Sequence, residues 1–186
     1  MITRDEAMNL LRQSDPGAGL IQHALASEAV LGALARHFGE NEEVWGLTGL
    51  LHDLDYPQTQ SDFARHGLLT AELLEGKLPL EALHAIKAHN FDYTGVAAES
   101  RFDVALRCGE TVTGLIVAAA LVRPTGLEGM QPSSLKKKLK DKAFAASVNR
   151  EAIRQCADMD MELDAFLTLA IEALGPVAAD IGCGEK

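Results

Sequence analysis

The chain has 186 residues, is 47% hydrophobic and carries a formal net charge of −10, so it can bury one sizeable core, and a single domain, 1–186, is the default. That acidity disfavours binding to nucleic-acid polymers or anionic membranes, and Cys108, Cys156 and Cys183 are too scattered for a disulfide framework or a thiolate zinc site. The opening residues MITRDEAMNLLRQSD carry charges where a secretory signal needs an apolar centre, and the most apolar stretch, 113–122, is too short for a bilayer, so a soluble, cytoplasmic protein is expected.

Taken in order, nearly every segment reads as helix. Thr3 and Glu6 have capping-box spacing ahead of Ala7, Met8, Leu10 and Leu11. Asp15-Pro16 reads as an N-cap and first-turn proline opening a helix to about His37. Asn41 caps the next, whose apolar residues Val44, Leu47, Leu50 and Leu51 lead to His52-Asp53. Ser61 is expected to start a helix ending at Gly76, and Pro79 one carrying PLEALHAIKAHN. Ser100 precedes the longest apolar helix, closed by Pro124. Residues 124–133 read as a loop and candidate flap. Helices near 134–158 and 161–174 follow, the last stopped by Gly175-Pro176. Strand-like alternation is absent. The expected fold class is all-α.

His52-Asp53 sits where an apolar face runs out. That suits either a hydrogen-bonded core histidine beside a capping Asp, or two ligands aimed at one cation. By helical spacing, His23 shares a face with Leu20, Ala26, Ser27 and Val30, and Glu110 lies in line with Leu106, Thr113, Gly114 and Val117. His89 falls with Ala82, Ala85 and Ile86, and His66 neighbours Phe63, Leu69 and Thr70. His84 lies roughly 140° around the axis from His89 and cannot face the same site. A lone inward histidine is more often a satisfied core residue than a ligand, and a buried ionised carboxylate is costly unless paired. Accumulation over five consecutive helices favours a metal site, because one divalent cation satisfies such groups together.

The order His23, His52-Asp53, His66, His89, Glu110 resembles the HD-domain superfamily of metal-dependent phosphohydrolases. So do the segments VWGLTGLLHDLDY, RHGLLTAELL and AIKAHN, and the likeness covers residues 20–122. GETVTGLIVAAALVRP and SLKKKLKDKAFAASVNREAI resemble a small, HDIG-like bacterial subgroup. The resemblance implies a helical bundle of the HD type, with a metal-site core at about 16–123 and a C-terminal helical extension at about 133–176. It implies one tight metal at His23, His52, Asp53 and Glu110. The superfamily's last ligand is usually Asp, so Asp103, two turns earlier on the same face, is the fallback for Glu110. Binuclear members have His-His where this chain has His89-Asn90. His66, His89 and Asn90 are therefore expected to form a second, weaker metal site or to bind substrate phosphate. Mixed nitrogen and oxygen donors suit Mn, Fe, Co, Ni or Zn rather than calcium.

The implied activity is hydrolysis of a nucleotide or other small phosphate ester, as a phosphomonoesterase or phosphodiesterase. The alternative is a catalytically inactive metal- or nucleotide-binding regulatory module of the same fold. The expected partner is a small phosphorylated substrate, with the oligomeric state left open. Asp53 and Asp55 are the catalytic candidates, Asp55 as a proton carrier or, equally, a surface residue at a helix end. Arg107 and Arg123 are the candidate phosphate-binding cations, with Tyr56 and Arg65 as further contacts. Residues 136–154 carry a local net charge of +5. Lys137, Lys138 and Lys140 there form either a solvated helix face or a cationic rim that draws in an anionic substrate.

Overall fold

The computed structural model describes residues 1–184. Thr3 accepts from the Glu6 amide while the Glu6 carboxylate accepts from the Thr3 amide, closing the expected capping box of α1 (Arg4–Gln13). The next helix, α2 (Ala18–Phe38), starts later than the Asp15-Pro16 pair suggests. Asp15 lies at φ 55°, which turns the chain instead of feeding a helix, and Gly17 occupies the cap position without a side-chain bond. Asn41 caps α3 (Glu42–Leu51) by accepting from the Val44 amide, as expected.

The reading of a helix from Ser61 to Gly76 is corrected. A single turn, α4 (Tyr56–Thr59), is followed by turns through 60–67 and then by α5 (Leu68–Leu73). Gly67 reverses the backbone at φ 84°, and a Cβ there would meet the Ile86 carbonyl oxygen at 2.7 Å, so both conformation and space demand glycine. Pro79 precedes α6 (Leu80–His89), and α7 (Phe91–Thr94) is one further turn. A second capping box, Ser100 with Asp103, opens α8 (Arg101–Leu121).

α8 packs against α2, α6 and the C-terminal helices α9 (Pro132–Lys140), α10 (Arg150–Arg154) and α11 (Leu163–Leu174). The helix expected over 134–158 is broken at 141–149. There the Arg150 guanidinium donates to the carbonyls of Asp141, Phe144, Ala145 and Val148, so a side chain replaces the helical ladder. Residues 124–133 are pinned and do not form a free flap. Leu127 and Met130 are buried, the Leu127 amide donates to the Cys183 carbonyl, and Arg123 donates to the carbonyls of Gly126 and Glu128.

One apolar cluster runs from Ile2 to Cys183, and no strand occurs among the described residues. α2 and α8, each 21 residues, are long and apolar enough to cross a membrane by length and composition, well beyond the stretch 113–122. Half or more of each apolar window is buried inside the bundle, as the composition of a core helix requires.

The contact that places the site is between α2 and α3. A Cβ on Gly49 would lie 2.6 Å from the Ser27 carbonyl oxygen, so the two backbones touch and carry His23 up to His52. Gly49→Ala should therefore cost about 1–3 kcal/mol, read as a lower urea midpoint with an unchanged m-value. An unchanged midpoint would show that α3 can move without loss.

Candidate metal centre

The last carbonyls of a helix lack intrahelical donors, and two histidines use that vacancy. His52, the C-cap of α3, places Nδ1 2.8 Å from the Gly49 carbonyl. His89, the last residue of α6, places Nδ1 2.5 Å from the Ile86 carbonyl. His23 Nδ1 lies 3.1 Å from Thr113 Oγ1, whose own proton goes to the Glu110 carbonyl, so the hydroxyl accepts from the ring. His66 Nδ1 lies 2.8 Å from Asp55 Oδ1. These partners assign a proton to each Nδ1, which leaves Nε2 of every neutral ring as a bare lone pair.

Those four Nε2 atoms converge on Asp53. His52, His66 and His89 stand 3.3, 3.2 and 3.6 Å from its Oδ1, and His23 stands 3.6 Å from its Oδ2. The Nε2–Nε2 distances are 3.2 Å for His23–His52 and 3.2 Å for His66–His89. Among the described residues, two groups of three could hold a metal ion: His23, His52 and Asp53, and Asp53, His66 and His89. Donors about 2.0–2.1 Å from a tetrahedral zinc lie roughly 3.3 Å from one another, so the donor set fits a transition metal. Its lone pairs face each other unless a cation or a proton intervenes. The anchored Nδ1–H groups are the outer-shell bonds that ligating histidines ordinarily make.

The family model of the HD domain matches residues 20–141, more than half of the chain. This chain belongs to the HD-domain family. No curated protein and no solved structure matches it. HD domains bind divalent metals, and the buried His and Asp groups stand where such an ion could be held.

The two groups of this HD domain differ electrostatically. Burial pushes His52 down to about 3 despite the neighbouring Asp53, so its ring is neutral at ordinary pH. Burial also disfavours charge on His66, but hydrogen bonds and charge from Asp53 and Asp55 outweigh it and push His66 up to about 9. Burial alone would raise Asp53, yet the surrounding imidazoles hold it well below the usual carboxylate range. A cation must displace a proton to reach His66 but not to reach His52.

Asp55 does not stand in the cleft as a proton carrier. It is fully buried, and its carboxylate accepts from the amides of Gly67 and Thr70 (2.8 and 2.9 Å) while holding His66 Nδ1. Burial would raise its pKa, but these bonds keep it lowered. It orients the His66 ring. Asn90 donates to the carbonyls of Phe63 (2.8 Å) and His66 (3.1 Å), which staples the 60–67 segment to the end of α6. Glu110 approaches the first group, with Oε2 3.7 Å from His23 Nε2, though it lies outside both tight triads. Its burial raises its pKa. Asp103 caps α8 and meets His84 at 3.1 Å, away from the centre, and so cannot stand in for Glu110.

The centre opens into a cleft of about 920 Å³ whose walls include His23, Asp53, His66, His89, Glu110 and Arg107. Arg107 is the one expected cation found there. Arg123 is committed to its own loop, Lys138 lies 3.7 Å over the Phe144 ring, and Lys137 and Lys140 are exposed in the last turn of α9. None of these four lines the cleft, and lysines at a helix C-terminus already suit that helix's own dipole. Arg65 is exposed and also absent from the walls, whereas Tyr56 lines them. Phe63, Tyr93 and Asp92 line the cleft too. Sequence reasoning did not single them out, because short turns carry no periodicity that would place them.

For the metal-free protein the linkage has a definite sign. The folded pKa of His66 is raised, so its pairing stabilises fully below about pH 6.5 and is lost as pH rises through about 9. Chelated protein should therefore lose thermal stability across that window. Affinity for a second equivalent of Mn²⁺ should climb over the same window as the competing proton departs. Melting curves and titrations at both ends of the window test this, and a flat apo profile would contradict the assignment.

Proposed function

We propose that this HD domain is a cytoplasmic metal-dependent phosphohydrolase acting on a small phosphate monoester or diester, nucleotides included. The observation that supports it is the convergence of four histidine Nε2 atoms on Asp53 in the wall of an open cleft that also holds Arg107. In this reading His23, His52 and Asp53 hold the tight cation, and Glu110 closes its coordination. His66 and His89 share Asp53 for a weaker second ion or for the substrate phosphate. A divalent transition metal in such a site supplies Lewis acidity toward a phosphoryl oxygen and eases deprotonation of water.

The chain's own groups complete the site. Arg107 is held rigid, donating from Nε to Gln155 (3.0 Å), from Nη1 to the His89 carbonyl (2.9 Å) and from Nη2 to Asp92 (2.8 Å). A guanidinium has five N–H donors, so two remain for phosphoryl oxygens in a fixed geometry. Against Arg107 and the protonated His66 the walls carry Asp53, Asp92 and Glu110. Such a balance suits an ester with a single phosphate group better than a di- or triphosphate.

The test is metal content after purification, followed by a panel of phosphate esters with and without Mn²⁺. Chelation should abolish turnover and Mn²⁺ restore it. His52→Ala should remove the metal and the activity together. Arg107→Ala should raise KM on the order of tenfold at unchanged metal stoichiometry, as expected for one lost charge-assisted hydrogen bond. Tight metal with no turnover on any ester would replace this reading with that of a binding module.

A further inference from the structure

Beside the metal-ligand histidines the cleft has a wall of a different chemistry. Tyr56 and Phe63 stand edge-on to the His66 ring, with centroids 5.4 and 6.1 Å away. Phe63 continues to Tyr93 at 5.3 Å, with the two rings tilted by only 32°. Phe63 and Tyr93 remain 36% and 62% exposed, although both are large and apolar. Leaving such rings in water forgoes about 25 cal/mol per Å² of apolar surface, and both line the same cleft as Asp53 and Arg107.

The wall is also held in place. Asn90 grips the carbonyls of Phe63 and His66 from the end of α6, one residue before α7 carries Tyr93. Thr94 then donates to the carbonyls of Lys87 and Asn90 (3.0 and 3.2 Å), closing α7 back onto α6. The two rings are thus fixed relative to the histidines by hydrogen bonds that do not involve the rings themselves. A group stacked on Phe63 and Tyr93 would share the cleft with a phosphate held at the metal centre.

We propose that Phe63 and Tyr93 are specificity-determining residues that stack on a planar ring carried by the substrate, so that the site selects a ring-bearing phosphate ester over a ringless one. The inference rests on the phosphohydrolase reading. It names the part of the substrate remote from the phosphate. Stacking of a base on an aromatic side chain is sequence-tolerant, because every base has a π-face.

The test compares adenosine 5′-monophosphate with ribose 5-phosphate on metal-loaded protein, for the wild type, Phe63→Ala, Tyr93→Ala and the double variant. Wild-type KM should be lower for the adenosine ester, on the order of tenfold. The double variant should lose that advantage by raising KM for the adenosine ester on the order of tenfold more than KM for ribose 5-phosphate, and Tyr93→Phe should retain it. Both side chains are exposed, so melting temperatures should stay near wild type. Equal constants for the two esters in the wild type, or an equal shift of both in the variants, overturns the inference. Calorimetric binding of the same two compounds separates this from failure of the hydrolase reading. If neither ester is turned over but the adenosine ester binds tighter only while both rings are present, the ring wall stands and the hydrolase falls. If the two compounds bind alike, the ring wall falls.

Discussion

Four imidazole Nε2 lone pairs pointed at one carboxylate repel each other unless a cation or proton lies among them, and the surrounding structure is arranged to hold them there. The rings come from α2, the end of α3, the 60–67 turns and the end of α6. Each ring is oriented by committing its other nitrogen to a carbonyl, a hydroxyl or Asp55. Bringing four separate segments this close requires backbone contact without intervening side chains. Gly49 lets α3 touch α2 at Ser27, and Gly67 lets the His66 segment press against Ile86 and the His89 ring. The packing of the bundle and the geometry of the donors are therefore one problem with one solution.

Within that solution the two sides of Asp53 are not equivalent. His52 is so thoroughly desolvated that it stays neutral, whereas His66 is flanked by Asp53 and Asp55 and takes up a proton. Asp55 creates this asymmetry from a fully buried position, and its carboxylate ties the turn before α5 to the end of α3. A residue that looks like a surface acid beside a proline is thus a structural strut.

Local chemistry was legible where the deciding partner lies within a turn or so of chain. The capping boxes Thr3–Glu6 and Ser100–Asp103, the Asn41 cap and the helical character of the long segments belong to this class. The order of histidines and carboxylates that points to the HD family was legible as well, though as a pattern along the chain and not as a local contact. What was not legible depends on partners distant in sequence or on backbone states that composition does not announce. Ser61 looks like a helix start, yet Asp55 and Gly67 hold the following residues in turns. The basic run after residue 135 looks continuous, yet Arg150 folds back on its carbonyls. Nor does a count of lysines reveal direction: α9 turns Lys137 and Lys140 to solvent, and of the expected cations only Arg107, on α8, reaches the cleft.

The meeting of two helix ends at the centre has a further consequence. α3 and α6 both terminate there, and the C-terminal end of a helix carries about half a negative charge. Added to Asp53, Asp92 and Glu110, this gives the cleft a field that favours cations before any coordination bond is counted, with Arg107 and the protonated His66 of the metal-free protein in opposition. Cation and anion then bind as linked events. In the proposed reading, each would raise the affinity for the other by the same factor, and a phosphate ester would bind better after the ion than before it. Order of binding, on this view, is written into the direction in which two helices run.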